Sequence, residues 1–291
     1  MSGMTLLVSD PDRYHDVYSN GFARIAMKET VLQEISQYFD EHVMTKLTGA
    51  FPAEDQFNLL GVGVGEGHHE QHFLKTLGSH FSSIMNVAVD RNEHLLESFK
   101  INACGSTPDE KSHRDMQWFN GTLQQFFDES PLANCKYNLI SAIYSMHHVG
   151  DIETTFTRLA SMVKDNGVII IVLSESTLVE ETLLQNTWLP ASYGTHEKLT
   201  KEKVITFAKQ RGYTIDVRKM NIKWDLTDLF EEKSELGDKL VDSLTSVAHF
   251  RRTVPAEKLN ELISFWRSFC SNGEDGRLYA PADDVIITAS T

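Results

Sequence analysis

The stretch that most constrains this chain is Leu59-Leu60-Gly61-Val62-Gly63-Val64-Gly65-Glu66-Gly67. An apolar run from Phe57 to Val62 reads as a buried strand. Glycines 63, 65 and 67 then make a tight turn, and His68 to Leu77 has helical spacing, with Phe73, Leu74 and Leu77 apolar. Strand, glycine turn and helix open a Rossmann-like unit. Glycine is required where the turn visits backbone conformations closed to other residues and where a ligand comes close to the main chain. The spacing G-x-G-x-G is not the dinucleotide pattern G-x-G-x-x-G, because single residues, Val64 and Glu66, separate the glycines.

Ile84 to Val89 is a second apolar strand, and it ends in Asp90. Ligands of open parallel sheets sit at the carboxyl ends of the strands, beside the point where strand order reverses. An acid there, about 20 residues past the glycines, suits a ribose diol. Both a nicotinamide dinucleotide and S-adenosylmethionine carry that sugar. The missing pyrophosphate glycine favours the second.

The rest of the chain repeats the same grammar. Glu93 to Ile101 reads as a helix, and polar residues 102–115 read as a loop. Trp118-Phe119-Asn120-Gly121-Thr122 reads as a short strand and turn, where an adenine ring would find flat apolar neighbours and a polar edge. Tyr137 to Ile143 is an apolar strand running into Tyr144-Ser145-Met146-His147-His148. A helix from Ile152 to Val163 follows, stopped by Asn166-Gly167. Val168 to Leu173 is apolar throughout, as a strand buried on both faces must be. This order predicts an α/β fold with a parallel sheet. Further on, Lys201 to Arg211 reads as a helix, Thr214 to Arg218 and Val285 to Ala289 as strands, and Leu236 to Phe250 and Pro255 to Phe269 as helices.

Three of these segments, LLGVGVGEG at 59–67, VAVD at 87–90 and YNLISAIYSMHHV at 137–149, resemble the class I S-adenosylmethionine-dependent methyltransferases. DNGVIIIVLSE at 165–175 supports the likeness. The resemblance implies a Rossmann-like, seven-stranded, mostly parallel sheet with helices on both faces and helical substrate-binding additions. Its last strand runs antiparallel and inserts beside the sixth. The implied organisation is an N-terminal helical cap at 1–50, a donor-binding core at 51–224, a helical substrate-pocket insertion at 225–280 and the last strand at 281–291. The implied donor is S-adenosylmethionine, leaving as S-adenosylhomocysteine, with no metal. Gly63, Gly65 and Gly67 would hold its methionine part and Asp90 its ribose. Glu66, Arg91, Asn92, Asn120, Gly121, Thr122, Ile143 and Tyr144 would complete the site.

A narrower likeness is to the histamine N-methyltransferases. It rests on Ser9-Asp10-x-x-x-Tyr14, the register through Phe22 to Gln33-Glu34, and the added C-terminal region. The chain departs from that family where substrate is held. Lys28, with Glu29 beside it, replaces the glutamate that receives the amine. Tyr144 replaces a glutamine, and His147 and His148 replace a tyrosine pair. The C-terminal asparagine falls near Pro281, with Asp283 and Asp284 close by. The resemblance therefore implies transfer to a nitrogen of a different small amine or imidazole-type metabolite. The candidate bases or orienters are His147, His148, Tyr144 and Glu29, because histidine titrates in the right range. Tyr14, Tyr18 and Phe22, spaced by four, form an aromatic stripe on a helix within residues 10–45, able to face a cationic amine. Trp188, Tyr193, Phe250, Tyr279 and Asp283 are further candidates for the acceptor pocket. A non-catalytic donor-binding protein and a small-molecule O-methyltransferase remain alternatives, followed by an NAD-dependent oxidoreductase.

Composition narrows the partners. The formal charge is -14, which disfavours nucleic acid. No apolar run approaches the roughly 18 to 20 residues of a membrane span, and the N-terminus lacks signal-peptide features. Three cysteines without metal spacing suit a reduced, cytoplasmic protein. A monomer is expected. His68 and His72 share a helix face, but H-E-x-x-H would need a histidine where Phe73 stands, so no metal is expected there.

Overall fold

The structure, a computed structural model, describes residues 4–22, 28–104, 113–146, 149–189 and 199–290, with the backbone alone described at Phe22, Lys28 and Cys104. The chain divides into two compact units. One comprises Leu32–Leu173, Glu197–Lys219 and Val285–Thr291, the other Met1–Val31, Ser174–His196 and Met220–Asp284.

The first unit is built on a seven-stranded sheet. Its strands are β1 (Gln56–Val62), β2 (Ser83–Asp90), β3 (His113–Asn120), β4 (Tyr137–Ile143), β5 (Val163–Ser174), β6 (Thr214–Lys219) and β7 (Asp284–Ser290), arranged β3-β2-β1-β4-β5-β7-β6. β1 pairs in parallel with β2 and β4, β2 with β3, and β4 with β5. β7 runs antiparallel to β6, with Ile287 opposite Val217. Helices α1 (His68–Gly78), α2 (Glu93–Cys104), α3 (Leu123–Glu129), α4 (Ile152–Met162) and α5 (Lys201–Gln210) make the crossovers.

Side-chain alternation assigns the two faces of the sheet. Leu60, Val62, Ile140, Ala142, Ile169 and Ile171 share one core with Phe126, Phe156, Leu159 and Val204 of α3, α4 and α5. The alternating residues Gly61 and Ser141 face Glu70 of α1 instead. Chain order reverses between β1, β2 on one side and β4, β5 on the other, so the switch point lies at the carboxyl ends of β1 and β4.

One expectation changes here. The helix before β5 ends at Met162, and Val163 is already extended, with φ -73° and ψ 138°. Asn166-Gly167 therefore does not cap that helix. It lies in an irregular start of β5, where pairing jumps from Tyr137↔Val163 to Leu139↔Val168 and Asn166 takes φ 62°. Such an interruption re-aims a strand without ending it.

The second unit holds the helices Pro11–Val17, Thr177–Gln185, Glu235–Thr245 and Ala256–Arg267, with a wider π turn over Tyr18–Phe22. Thr5–Leu6 pairs antiparallel with Val247–Ala248, and Lys223–Asp225, Leu278–Pro281 and Ser271–Asn272 form a small antiparallel sheet. The expected helix from Leu236 to Phe250 is interrupted. Ser246 and His249 both take φ 55°, and the short strand lies between them. Trp266 is fully buried and donates from Nε1 to Thr182 Oγ1 at 2.8 Å, which locks two of these helices together.

Candidate functional site

The glycine turn after β1 has the backbone the sequence demands. Gly63, Gly65 and Gly67 take φ 63°, 54° and 71°. Two of them also exclude a side chain on steric grounds. A Cβ at Gly63 would run into Ser145 Cβ, and one at Gly67 into the Phe99 ring. A Cβ at Gly65 would meet nothing within 4 Å, so this residue opens onto free space. The turn hangs from the end of β2: Gly63 N–H donates to Val89 O at 2.7 Å and Val64 N–H to the same oxygen at 3.3 Å.

Asp90 gathers three strand ends. Its carboxylate accepts Gly65 N–H and Asn92 N–H, both at 2.7 Å. Its carbonyl oxygen accepts Gly121 N–H at 2.9 Å and Asn120 Nδ2 at 3.1 Å. The residue is 8% exposed, and burial raises its carboxyl above the usual range, against the pull of the two N–H groups and of Arg91. A carboxylate offers about four acceptor sites, so two N–H groups leave room for a diol.

The neighbouring candidates have local structural tasks. Asn92 Oδ1 accepts His94 and Leu95 N–H at 3.1 and 3.2 Å, ordering the start of α2. Thr122 makes a reciprocal capping box with Gln125 at the start of α3. Glu66 lies 2.9 Å from His68 Nε2, while His72 Nε2 lies 3.1 Å from both carboxylate oxygens of Asp40. These two histidines therefore have separate partners. Among the described residues, no group of three or more His, Cys, Asp or Glu is placed to hold a metal ion. None of the described helices is long and apolar enough to cross a membrane. Ile143 closes β4, and Tyr144 beyond it takes φ 52° while its N–H donates to Val172 O at 3.0 Å.

The structure thus links Gly63, Gly65, Asp90, Asn92, Asn120 and Gly121 by hydrogen bonds at the ends of β1, β2 and β3. His147, His148 and Tyr193 lie outside the described residues, as do the side chains of Phe22 and Lys28. Glu29 is exposed in the first turn of the helix Lys28–Tyr38. The remaining acceptor candidates belong to the second unit. Tyr14 and Tyr18 have ring centroids 4.5 Å apart and pack on Leu7, Val17 and Ala248. Trp188 lies 6.1 Å from the fully buried Phe250. Asp283 takes φ 55° and accepts Thr177 Oγ1 at 3.2 Å. Tyr279 donates to Asp275 at 2.8 Å in the small sheet's hairpin. This unit also has a cleft of about 260 Å³, lined by charges that pair with one another. Arg13 pairs with Asp242 at 2.7 Å, Lys239 with Asp16 at 2.7 Å, and Arg251 with Asp238 at 3.2 Å.

Sequence reasoning missed Glu70 and Ser141 beneath the turn. Glu70 is 2% exposed, and Ser141 Oγ donates to it at 3.0 Å. A charged residue among the first-turn polar residues of a helix gives little sign of being buried.

A sheet of this order, with a left-handed glycine turn after β1 and an acid closing β2, defines a class I, S-adenosylmethionine-dependent methyltransferase. The methyltransferase-domain family matches residues 26–216, and the chain belongs to it. It is similar along nearly its whole length to histamine N-methyltransferase B of Xenopus laevis, at 22% identity over 292 residues, covering 95% of this chain and 94% of that one. It is 23% identical to carnosine N-methyltransferase 2 of Gallus gallus over 249 residues, covering 82% and 76% of the two chains. Among solved structures it shares the fold of the YcgJ protein of Bacillus subtilis, with a TM-score of 0.53 at 15% identity, over 86% of this chain and 97% of that one. The cradle fits the family's donor: Gly65 faces open space, and Asp90 beside it keeps acceptor capacity.

Proposed function

We propose that this chain transfers a methyl group from S-adenosylmethionine to a nitrogen of a small amine or imidazole-type metabolite. The observation that carries this reading is the likeness, near full-length to a histamine N-methyltransferase and over about four-fifths of this chain to a carnosine N-methyltransferase, to enzymes named for two compounds that both contain an imidazole ring. When bound, the donor supplies an electrophilic methyl group on a cationic sulfur.

The chain's own residues have three tasks in this reading. Asp90 receives the ribose hydroxyls on the lone pairs that Gly65 and Asn92 leave free. Gly63 and Gly65 let the methionine part approach the main chain, while Asn120, Gly121 and Thr122 border the adenine and Ile143 and Tyr144 flank the donor. The acceptor must offer a free lone pair held in line with the methyl group, so alignment is the main catalytic device. A neutral imidazole nitrogen already meets that need. A protonated amine must lose a proton to His147, His148 or Glu29. Tyr14, Tyr18 and Trp188 are the candidates for holding a planar or cationic acceptor against aromatic faces. The differences at Lys28, Tyr144, His147 and His148 support a substrate other than histamine.

The test is transfer of label from S-adenosylmethionine to histamine, histidine, imidazole dipeptides, aromatic and aliphatic amines, and phenols. Label on an amine or imidazole nitrogen is expected. Label on phenols alone, or none despite intact donor binding, would overturn the reading.

A further inference from the structure

Glu70 is a buried carboxyl that the reading above leaves without a task. It sits three residues past Gly67, in the first turn of α1, and is shielded from solvent on a helix face it shares with Phe73, Leu74 and Leu77. An apolar side chain would fill such a position without the cost of burying a carboxyl. Among the described residues, its side-chain hydrogen-bond partner is Ser141 Oγ, itself fully buried on β4. Ser141 lies in register with Gly61 of β1, so the pair spans the point where strand order reverses.

Gly61 explains how this pair reaches the turn. A Cβ there would stand 2.5 Å from Val64 Cγ1 and 3.2 Å from Glu70 Cγ. The missing side chain therefore lets Val64, a residue of the turn, and Glu70 both press onto β1. A continuous set of contacts runs from Ser141 through Glu70 and Gly61 to Val64, and so to Gly63 and Gly65 on either side of it. Asp90 grips the same turn from the other direction through Gly65 N–H.

Among the described residues, Asp90 on β2 is an ionisable group whose field reaches Glu70, whereas Gly61 and Ser141 on β1 and β4 carry no charge. On its own helix, His69 adjoins it and His68 is engaged with Glu66. Burial, reinforced by Asp90, pushes the Glu70 carboxyl up to about 7, while Ser141 pulls the other way. Glu70 therefore changes charge in the physiological range.

We propose that Glu70 is a positioning residue of the donor site: it seats the glycine turn through Gly61 and Val64, and its charge, when present, favours the cationic donor over the neutral-sulfur product. This rests on the reading of the turn and Asp90 as the donor site. S-adenosylmethionine carries one more positive charge than S-adenosylhomocysteine, so a buried negative charge beneath the turn discriminates between them. Loss of the proton strengthens that discrimination.

The experiment is calorimetric titration of both compounds into the full chain at pH 6 and pH 8, for the unaltered protein, Glu70→Gln and Glu70→Ala. In the unaltered protein, preference for S-adenosylmethionine should rise about threefold or more between the two pH values. Glu70→Gln keeps the shape and the Ser141 contact without a charge. It should bind both compounds at pH 6 within about threefold of the unaltered protein, with a preference that stays flat. Glu70→Ala should weaken both by about tenfold or more, because the turn loses its seat. The same pH rise in Glu70→Gln, or unchanged affinities in Glu70→Ala, would sink this inference alone. No binding of either compound by the unaltered chain would sink the donor reading and this inference with it.

Discussion

Two buried aspartates organise the two units, and their hydrogen bonds set them apart. Asp242, 1% exposed, accepts Arg13 Nε at 2.7 Å and the N–H groups of His249 and Phe250 at 2.8 Å each. Asp90 likewise accepts two backbone N–H groups from neighbouring loops, one of them from a residue at positive φ, but both of its carboxylate hydrogen bonds come from the backbone. Both loops use left-handed backbone, without cost at Gly65 in one unit and with strain at Ser246 and His249 in the other. The difference lies in what the carboxylate has left over. A guanidinium neutralises Asp242 and ties the helix Pro11–Val17 to the loop after Glu235–Thr245, which makes it a clasp. Asp90 holds its loop in shape through two backbone N–H groups and keeps acceptor capacity, as the receptor role proposed for it requires. A buried acid paired with a buried base reads as structure, whereas one left partly unsatisfied beside open space reads as a site.

The largest expected effect tests the clasp. Asp242→Ala removes the nearer of the two carboxylates that Arg13 engages, Asp16 at 3.1 Å being the other, and leaves two backbone donors unmatched. The expected loss is about 3 to 5 kcal/mol in urea unfolding. A variant that keeps its stability would show that Asp242 is no clasp, and the comparison would break on that side.

Next comes the receptor. Asp90→Ala should lower affinity for S-adenosylhomocysteine by about 100-fold in calorimetry, from the loss of charge-assisted hydrogen bonds to the ribose and of the grip on Gly65. Unchanged affinity would show that the diol is held elsewhere.

The same contrast explains which parts of the molecule were legible in the sequence. β1, β4 and the core of β5 are covered on both faces, so Phe57–Val62 and Tyr137–Ile143 read as mostly apolar, broken only by Asn58, Asn138 and Ser141, and Val168–Leu173 is apolar throughout. β3 is an edge strand of half-exposed residues, His113 to Asn120, and only its Trp118-Phe119 end announced it. The small sheet of Lys223–Asp225, Ser271–Asn272 and Leu278–Pro281 has strands of four residues or fewer, too short for any alternation to register. Ser246 and His249 carry no glycine to betray a left-handed backbone. In the proposed donor site, the turn at Gly63 and Gly65 and the position of Asp90 at the end of β2 were legible because turn geometry and a strand-end acid are local signals. Glu70 and Ser141 meet across 71 positions of sequence, and no local pattern reports such a pairing.

The smallest effect is the sharpest test of the receptor, because it separates backbone strain from ligand access. Gly65 sits at φ 54° with nothing within 4 Å of its would-be Cβ. Gly65→Ala therefore meets no clash, and its stability cost is the left-handed backbone alone, about 1 kcal/mol. Gly67→Ala has the same strain and adds a collision with the Phe99 ring, so it should unfold more easily. For donor binding the order should reverse per unit of lost stability: the methyl at position 65 projects into the space the donor needs, while that at 67 projects into the core. Urea unfolding and calorimetry on the two variants would establish both orders. If Gly65→Ala binds S-adenosylhomocysteine as the unaltered protein does, the open space at Gly65 is not where the donor lies, and Asp90 loses its claim to be the receptor.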